Sequence, residues 1–281
     1  MDDETNVANQ TAVNQIAETQ EEKDERRRHG SSFGDAAAAY AEHRPDYADA
    51  AIRWALEPVW SRQPLRVVDL GAGTGKLTAA LVRLGTEVTA VEPDEQMLAE
   101  LRQQMPSVRS VAGRAEEIPL PDGSVDAVLA AQSMHWFEMD LAMPEIARVL
   151  TPGGVLAGLW NVDDDRVGWV AEFAEMSKRK ASVTLLRWRD TGGQSREMRF
   201  LKAGSELFQP GETNEFEHGQ PRTADSLLAT VATHSHLLTM DEPERLALLA
   251  RLRDFLQARP ETSSGDFVLP MITVALRILR K

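Results

Sequence analysis

The chain has 281 residues, 42% of them hydrophobic, a formal net charge of −13 and no cysteine. That length and apolar content suffice for one large domain or two small ones, while the acidic balance disfavours docking on nucleic-acid phosphates or anionic membranes. Without cysteine there is no disulfide frame, no thiolate nucleophile and no thiolate metal site, which fits a cytoplasmic location.

Residues 1–30 are rich in Glu, Gln, Asp, Asn and Thr and lack an apolar signal core, so they are expected to form a disordered tail. No run approaches the roughly 18 apolar residues of a spanning helix. From Ser31 onward, Phe33, Ala36 to Ala39 and Tyr40 predict a short helix, which Arg44-Pro45-Asp46-Tyr47 breaks because the residue before proline avoids the α region. A second helix is expected over 48–59. Strands over 65–70, 86–91, 108–112, 125–131 and 154–159 then alternate with helices over 76–84, 95–104 and 141–150. Such alternation argues a doubly wound parallel α/β sheet.

Beyond Asn161 a helix is expected over 169–176, followed by a segment rich in Lys and Arg over 178–202. That segment reads as a solvated face, with a cover that draws in an anionic substrate as the sharper alternative. A strand over 215–219, helices over 224–237 and 243–258 and a strand over 267–278 complete the pattern. In the last helix Leu246, Leu249, Leu252, Phe255 and Leu256 are expected on one buried face. His234 and His236 fall in a helical segment, where capping or surface roles are commonest, and no histidine pairing has metal-site spacing.

The stretch Val67-Val68-Asp69-Leu70-Gly71-Ala72-Gly73-Thr74-Gly75-Lys76 organises the rest. A buried strand ends at Leu70, and the alternating glycines turn the chain with no Cβ to block a ligand. A phosphate-binding P-loop needs four residues between its first Gly and the Gly-Lys pair, then Ser or Thr. Here only Ala72, Gly73 and Thr74 intervene and Leu77 follows Lys76. The dinucleotide fingerprint needs Gly or Ala where Lys76 stands. Glu92, at the end of the second strand, suits ribose hydroxyls in either cofactor family.

Asp69 to Gly75 resembles the first motif of class I S-adenosylmethionine-dependent methyltransferases. Four further segments agree in order: Glu92-Pro93-Asp94 with Met97-Leu98, Gly113 to Pro121, Asp126-Ala127-Val128, and Arg148 to Gly154. Ser32-Phe33-Gly34, Tyr40, Arg44 to Tyr47 and Gln132 to Phe137 are similar to a small-molecule, type 11-like branch that includes trans-aconitate methyltransferases. The resemblance implies a mostly parallel seven-stranded sheet with its last strand antiparallel. Residues 31–60 would form an N-terminal helical cap, 65–160 a cofactor-binding core, and 161–281 an acceptor-pocket portion with a helical insertion.

It also implies S-adenosylmethionine as cofactor, S-adenosylhomocysteine as product, no metal, and transfer to an O, N or C nucleophile of a small molecule by a monomer or homodimer. Gly71, Ala72, Gly73, Thr74 and Gly75 would reach the cofactor's methionine part with Asp69 beside it. Glu92 would take both ribose hydroxyls, with Pro93 next to it. Met97 would lie against the adenine, with Ala115 and Glu116 at its edge. Tyr40 and Trp136 would offer aromatic faces to the sulfonium, Arg44 would pair with a carboxylate, and Gln132 would complete the set. His135 is the candidate general base, at the carboxyl end of the fourth strand where ligands of doubly wound sheets gather; an ordinary packed histidine is its equal competitor. The alternatives are an NAD(P)-dependent oxidoreductase and a non-catalytic S-adenosylmethionine-binding protein.

Overall fold

The computed structural model describes residues 45–177, 206–232, 237 and 240–281. Tyr40, Arg44, the expected N-terminal helix and tail, the basic segment 178–202, His234 and His236 lie outside the described residues. Helix α1 (Asp49–Leu56) and a short 3-10 turn (Glu57–Val59) precede the alternating series. That series runs β1 (Arg66–Leu70), α2 (Lys76–Arg83), β2 (Glu87–Glu92), α3 (Glu95–Gln104), β3 (Arg109–Ala112), β4 (Val125–Ala131), α4 (Met139–Val149) and β5 (Leu150–Asp163). Then come α5 (Gly168–Met176), β6 (Glu212–Thr223), α6 (Ala224–Ala232), α7 (Glu242–Gln257) and β7 (Asp266–Leu279).

The strands form one seven-stranded sheet in the order β3-β2-β1-β4-β5-β7-β6. The pairings from β3 to β5 are parallel, whereas β7 runs antiparallel to both β5 and β6. This is the expected architecture. The central strands read as nearly unbroken apolar runs because helices cover both of their faces. On one face Ile52, Leu56, Val67, Leu77, Leu81, Leu129 and Leu159 join α1 and α2 to the sheet. On the other, Val68, Leu70, Val128, Met143, Ile146 and Leu156 pack α4 against it. Each such fully buried side chain contributes about 2 kcal/mol.

Strands β5, β6 and β7 are longer than their apolar cores suggest, because the antiparallel ladder carries polar residues that a strand pattern alone does not count. Met271 pairs with Asp163, the last residue of β5, and 266–270 pair with β6 alone. The β6–β7 ribbon therefore runs past the carboxyl end of β5. There Trp169, Phe173, Leu227, Val231, Leu252, Phe267 and Met271 form a separate core under α5, α6 and α7. One expectation fails in α7: Leu248, Leu252 and Leu256 are buried, but Leu246 is 57% exposed. At 100° per residue Leu246 stands about 120° from Leu252, off the buried stripe.

Candidate cofactor and acceptor site

The glycine loop folds as a left-handed staircase, with φ of 71° at Gly71, 57° at Gly73 and 93° at Gly75. A Cβ on Gly71 would stand 2.6 Å from the Ser133 Cβ, so the loop also needs glycine to lie against the turn after β4. Ser133 donates through Oγ to the Leu70 carbonyl at 2.8 Å, binding that turn to the end of β1.

Most amides of this loop are already used. Gly71 and Ala72 donate to the Val91 carbonyl (2.8 and 3.1 Å), and Gly75 donates to the Ala72 carbonyl at 3.0 Å. Gly73 donates to Glu92 Oε2 at 2.8 Å. A phosphate cradle offers free N–H groups to an anion; here four are spent, one of them on a carboxylate.

Glu92 is only 6% exposed, so it is no surface strand-end acid. Its second oxygen, Oε1, accepts from the Asp94 amide at 2.9 Å, which fixes the plane of the carboxylate. Burial pushes Glu92 above the usual range, against the pull of the Asp94 and Gly73 amides. Asp69 is sealed beneath the loop. Its Oδ2 accepts from Thr78 Oγ1 at 2.6 Å, while Asp69 Oδ1 and Thr74 Oγ1 are buried with no hydrogen-bond partner among the described residues. Burial pushes Asp69 up to about 7; the Thr78 hydroxyl opposes this and the charge of Glu92 adds to it. Buried acceptors without donors cost about 1–3 kcal/mol each. The site therefore calls for a ligand that brings donors and positive charge.

Helix α3 opens beside Glu92, with Asp94 accepting from the Gln96 and Met97 amides (2.9 and 3.0 Å) as its cap. The cap draws Met97, 6% exposed, in toward Gly73; its Sδ lies 3.7 Å from where a Gly73 Cβ would stand. Pro93 is exposed and Ala115 is buried. Glu116 is held at both oxygens: Oε1 accepts from the Glu138 amide at 2.8 Å, and Oε2 pairs with Arg114 at 3.4 Å. It ties the loop after β3 to the start of α4.

After β4, Gln132 sits at φ 54°, the one non-glycine residue with positive φ among the described residues. Such a conformation costs about 1–3 kcal/mol and persists where surroundings enforce it. Here the enforcing contacts are Gln132 N to the Leu159 carbonyl (2.9 Å) and Nε2 to the Asn161 carbonyl (3.0 Å). The 3-10 turn Met134–Trp136 follows. It leaves His135 exposed and Trp136 half-buried against the α4-side core, their ring centroids 4.6 Å apart.

Sequence reasoning missed a polar hub that seats the first described residues. Asn161 Nδ2 donates to the Pro45 and Asp46 carbonyls (3.4 and 3.0 Å), and its Oδ1 accepts from Thr273 Oγ1 at 2.7 Å. Thr273 also accepts from the Ala48 amide at 3.1 Å and meets His218 Nε2 at 3.1 Å. The threonine has spent its one proton on Asn161, so His218 donates through Nε2. Lys76, next to Gly75, pairs with Asp46 at 3.3 Å, which sets Asp46 beside the glycine loop. The available signals were a hydroxyl inside the apolar run of β7 and an amide at the end of β5. No group of three or more His, Asp or Glu among the described residues is arranged to hold a metal ion.

Comparison with known proteins agrees with this geometry. Residues 68–158 match a family model described as a methyltransferase domain. An uncharacterized methyltransferase of Mycobacterium bovis is 41% identical over 247 residues, spanning 88% of this chain and 94% of that protein. A methyltransferase-like protein of Schizosaccharomyces pombe is 38% identical over 155 residues, 54% of this chain and 60% of its own. A structure described as a type II methyltransferase from Anaeromyxobacter dehalogenans shares the fold with a TM-score of 0.60 at 24% identity, covering 84% of this chain and 97% of its own.

Proposed function

Because the chain belongs to the class I S-adenosylmethionine-dependent methyltransferases, we propose that it moves a methyl group onto an O, N or C nucleophile of a small molecule by in-line displacement. The observation that carries this reading is the character of the glycine-loop site. Most of its amides are spent internally, and it holds two buried carboxylates, with one Asp69 oxygen and the Thr74 hydroxyl unpartnered among the described residues. Such a site repels a pyrophosphate and suits a ligand with an ammonium group, ribose hydroxyls and a cationic sulfur. The bound cofactor supplies a methyl group on a sulfonium that leaves as a neutral thioether.

The chain's residues then bind and orient. Glu92 takes the ribose hydroxyls on the lone pairs left beside its two amide donors, and Asp69 and Thr74 face the amino-acid end. Met97 lies against the adenine, with Pro93, Ala115 and Glu116 around it. Gln132 and Trp136 border the reacting centre, where the indole face steadies positive charge. Tyr40 and Arg44 are assigned to the same site by family resemblance; they precede Pro45, whose carbonyl accepts from Asn161 near the end of β5. His135 removes a proton from a hydroxyl, acidic carbon or protonated amine, a contribution of about 10²–10⁴-fold; with a carboxylate acceptor it only orients.

The domain reading follows the same lines. Residues 1–30 are a tail, 31–60 a cap, 65–160 the cofactor-binding core and 161–281 the acceptor portion. The last assignment draws support from the β6–β7 ribbon and its helical core beyond the end of β5. No helix among the described residues is long and apolar enough to cross a membrane, and with no cysteine in the chain we place the activity in the cytoplasm. Thermal unfolding with S-adenosylhomocysteine, NAD and NADP tests the cofactor preference. A ligand at 100 times its Kd stabilises by about 2.7 kcal/mol, and only S-adenosylhomocysteine is expected to do so. Stabilisation by a dinucleotide instead would sink the reading.

A further inference from the structure

Asp69 is 1% exposed; the Thr78 hydroxyl donates to Oδ2, the Thr78 amide also favours the charged form, and Oδ1 has no partner among the described residues. An ionised carboxylate in a dry site needs several donors or a counter-charge. Glu92, which acts on Asp69 through its charge, has two amide donors. Two neighbouring buried carboxylates do not readily ionise together, and the charge falls to Glu92, whose oxygens each have a donor while Asp69 Oδ1 has none. Thr74 Oγ1, a donor as well as an acceptor, lacks a partner too, so a ligand that satisfies both groups brings a donor to Asp69 Oδ1. An ammonium group brings three N–H donors and a positive charge.

We propose that Asp69 is protonated in the ligand-free protein and gives up its proton when the cofactor's ammonium group docks, so that cofactor binding releases a proton to solvent. This rests on the methyltransferase reading. The balance is simple: the Asp69 O–H bond breaks, its proton passes to buffer, and the ammonium keeps its own three protons in an ion pair with the new carboxylate. Burial holds Asp69 near 7 before the ligand arrives, which puts the linkage in the neutral range. The other charged groups around the loop are Asp94, next to Glu92, and Lys76, already paired with Asp46. Below about pH 7, affinity falls about tenfold per pH unit.

The test is calorimetric titration of the full chain with S-adenosylhomocysteine in two buffers of different ionisation enthalpy. More proton should be released at pH 6.5 than at pH 7.5, with none from Asp69→Asn. Should that variant not fold, Thr78→Val substitutes for it: without the hydroxyl that favours ionised Asp69, release at pH 7.5 should grow, and an unchanged release overturns the proposal. Binding with no buffer dependence overturns the proposal and leaves the methyltransferase reading standing, as does release that survives in Asp69→Asn. No binding of S-adenosylhomocysteine at either pH overturns both.

Discussion

Replacing Glu92 by Gln separates what this carboxylate does for the ligand from what it costs the fold. A hydrogen bond to a charged group contributes about 1.5–3 kcal/mol, and the amide keeps one acceptor oxygen, so about one such bond to the ribose is lost. S-adenosylhomocysteine should bind about 10–150-fold more weakly. In the free protein the amide must turn its NH2 toward either Gly73 N or Asp94 N, both of which now donate to the carboxylate. Against that loss, the variant no longer buries a charge. Burial raises the folded pKa of Glu92 above its unfolded value. The folded state thus holds the proton longer, and stability falls as pH rises from the unfolded pKa through the folded one. Relative to wild type, Glu92→Gln should therefore look worse near pH 4 and better near pH 8. Calorimetry and thermal unfolding at those two pH values measure both effects. An affinity within threefold of wild type, or a Tm difference independent of pH, would refute the reasoning.

Three other substitutions probe separate parts of the account. Gly71→Ala forces an L residue to φ 71° and sets a Cβ against Ser133; left-handed strain and overpacking together should cost about 2–4 kcal/mol in denaturant unfolding, and a loss below 1 would contradict the described loop. For Asp126, burial works against the charge, but donors from Arg66 and Arg62 hold the carboxyl below its usual range. Its stabilisation is present above the unfolded pKa and lost as pH falls through the folded one, so Asp126→Asn should cost about 1–3 kcal/mol at pH 7 and converge on wild type in acid. His135→Ala should leave S-adenosylhomocysteine affinity unchanged while slowing single-turnover transfer to a hydroxyl, amine or carbon acceptor by about 10²–10⁴-fold. An unchanged rate would remove the base.

The cofactor half was legible because its signals are local. Gly71, Gly73 and Gly75 take positive φ, Asp94 caps α3, and Val67, Val68 and Leu70 are buried between two helical layers. Each depends on neighbours a few residues away. The acceptor half depends on distant pairs. Asn161, Thr273 and His218 meet only once β5, β7 and β6 are in register, and nothing in a single segment announces that. Leu246 shows the same limit, since it lies at one side of a broad leucine arc on α7 and tertiary packing chooses which part of that arc is buried. Glu116 was assignable by resemblance to the adenine edge, yet its bond to the Glu138 amide is visible only in three dimensions. Asp69 was placed beside the methionine part by resemblance, but its unpartnered Oδ1 is visible only in three dimensions.

The central claim is methyl transfer to a small molecule. Incubating the protein with methyl-labelled S-adenosylmethionine and a cell extract, then separating the low-mass fraction from macromolecules before mass spectrometry, tests it most directly. The account predicts protein-dependent label on a low-mass product, diminished when Glu92→Gln replaces wild type at limiting cofactor. Label confined to protein or nucleic acid, or no transfer in any extract, would contradict it.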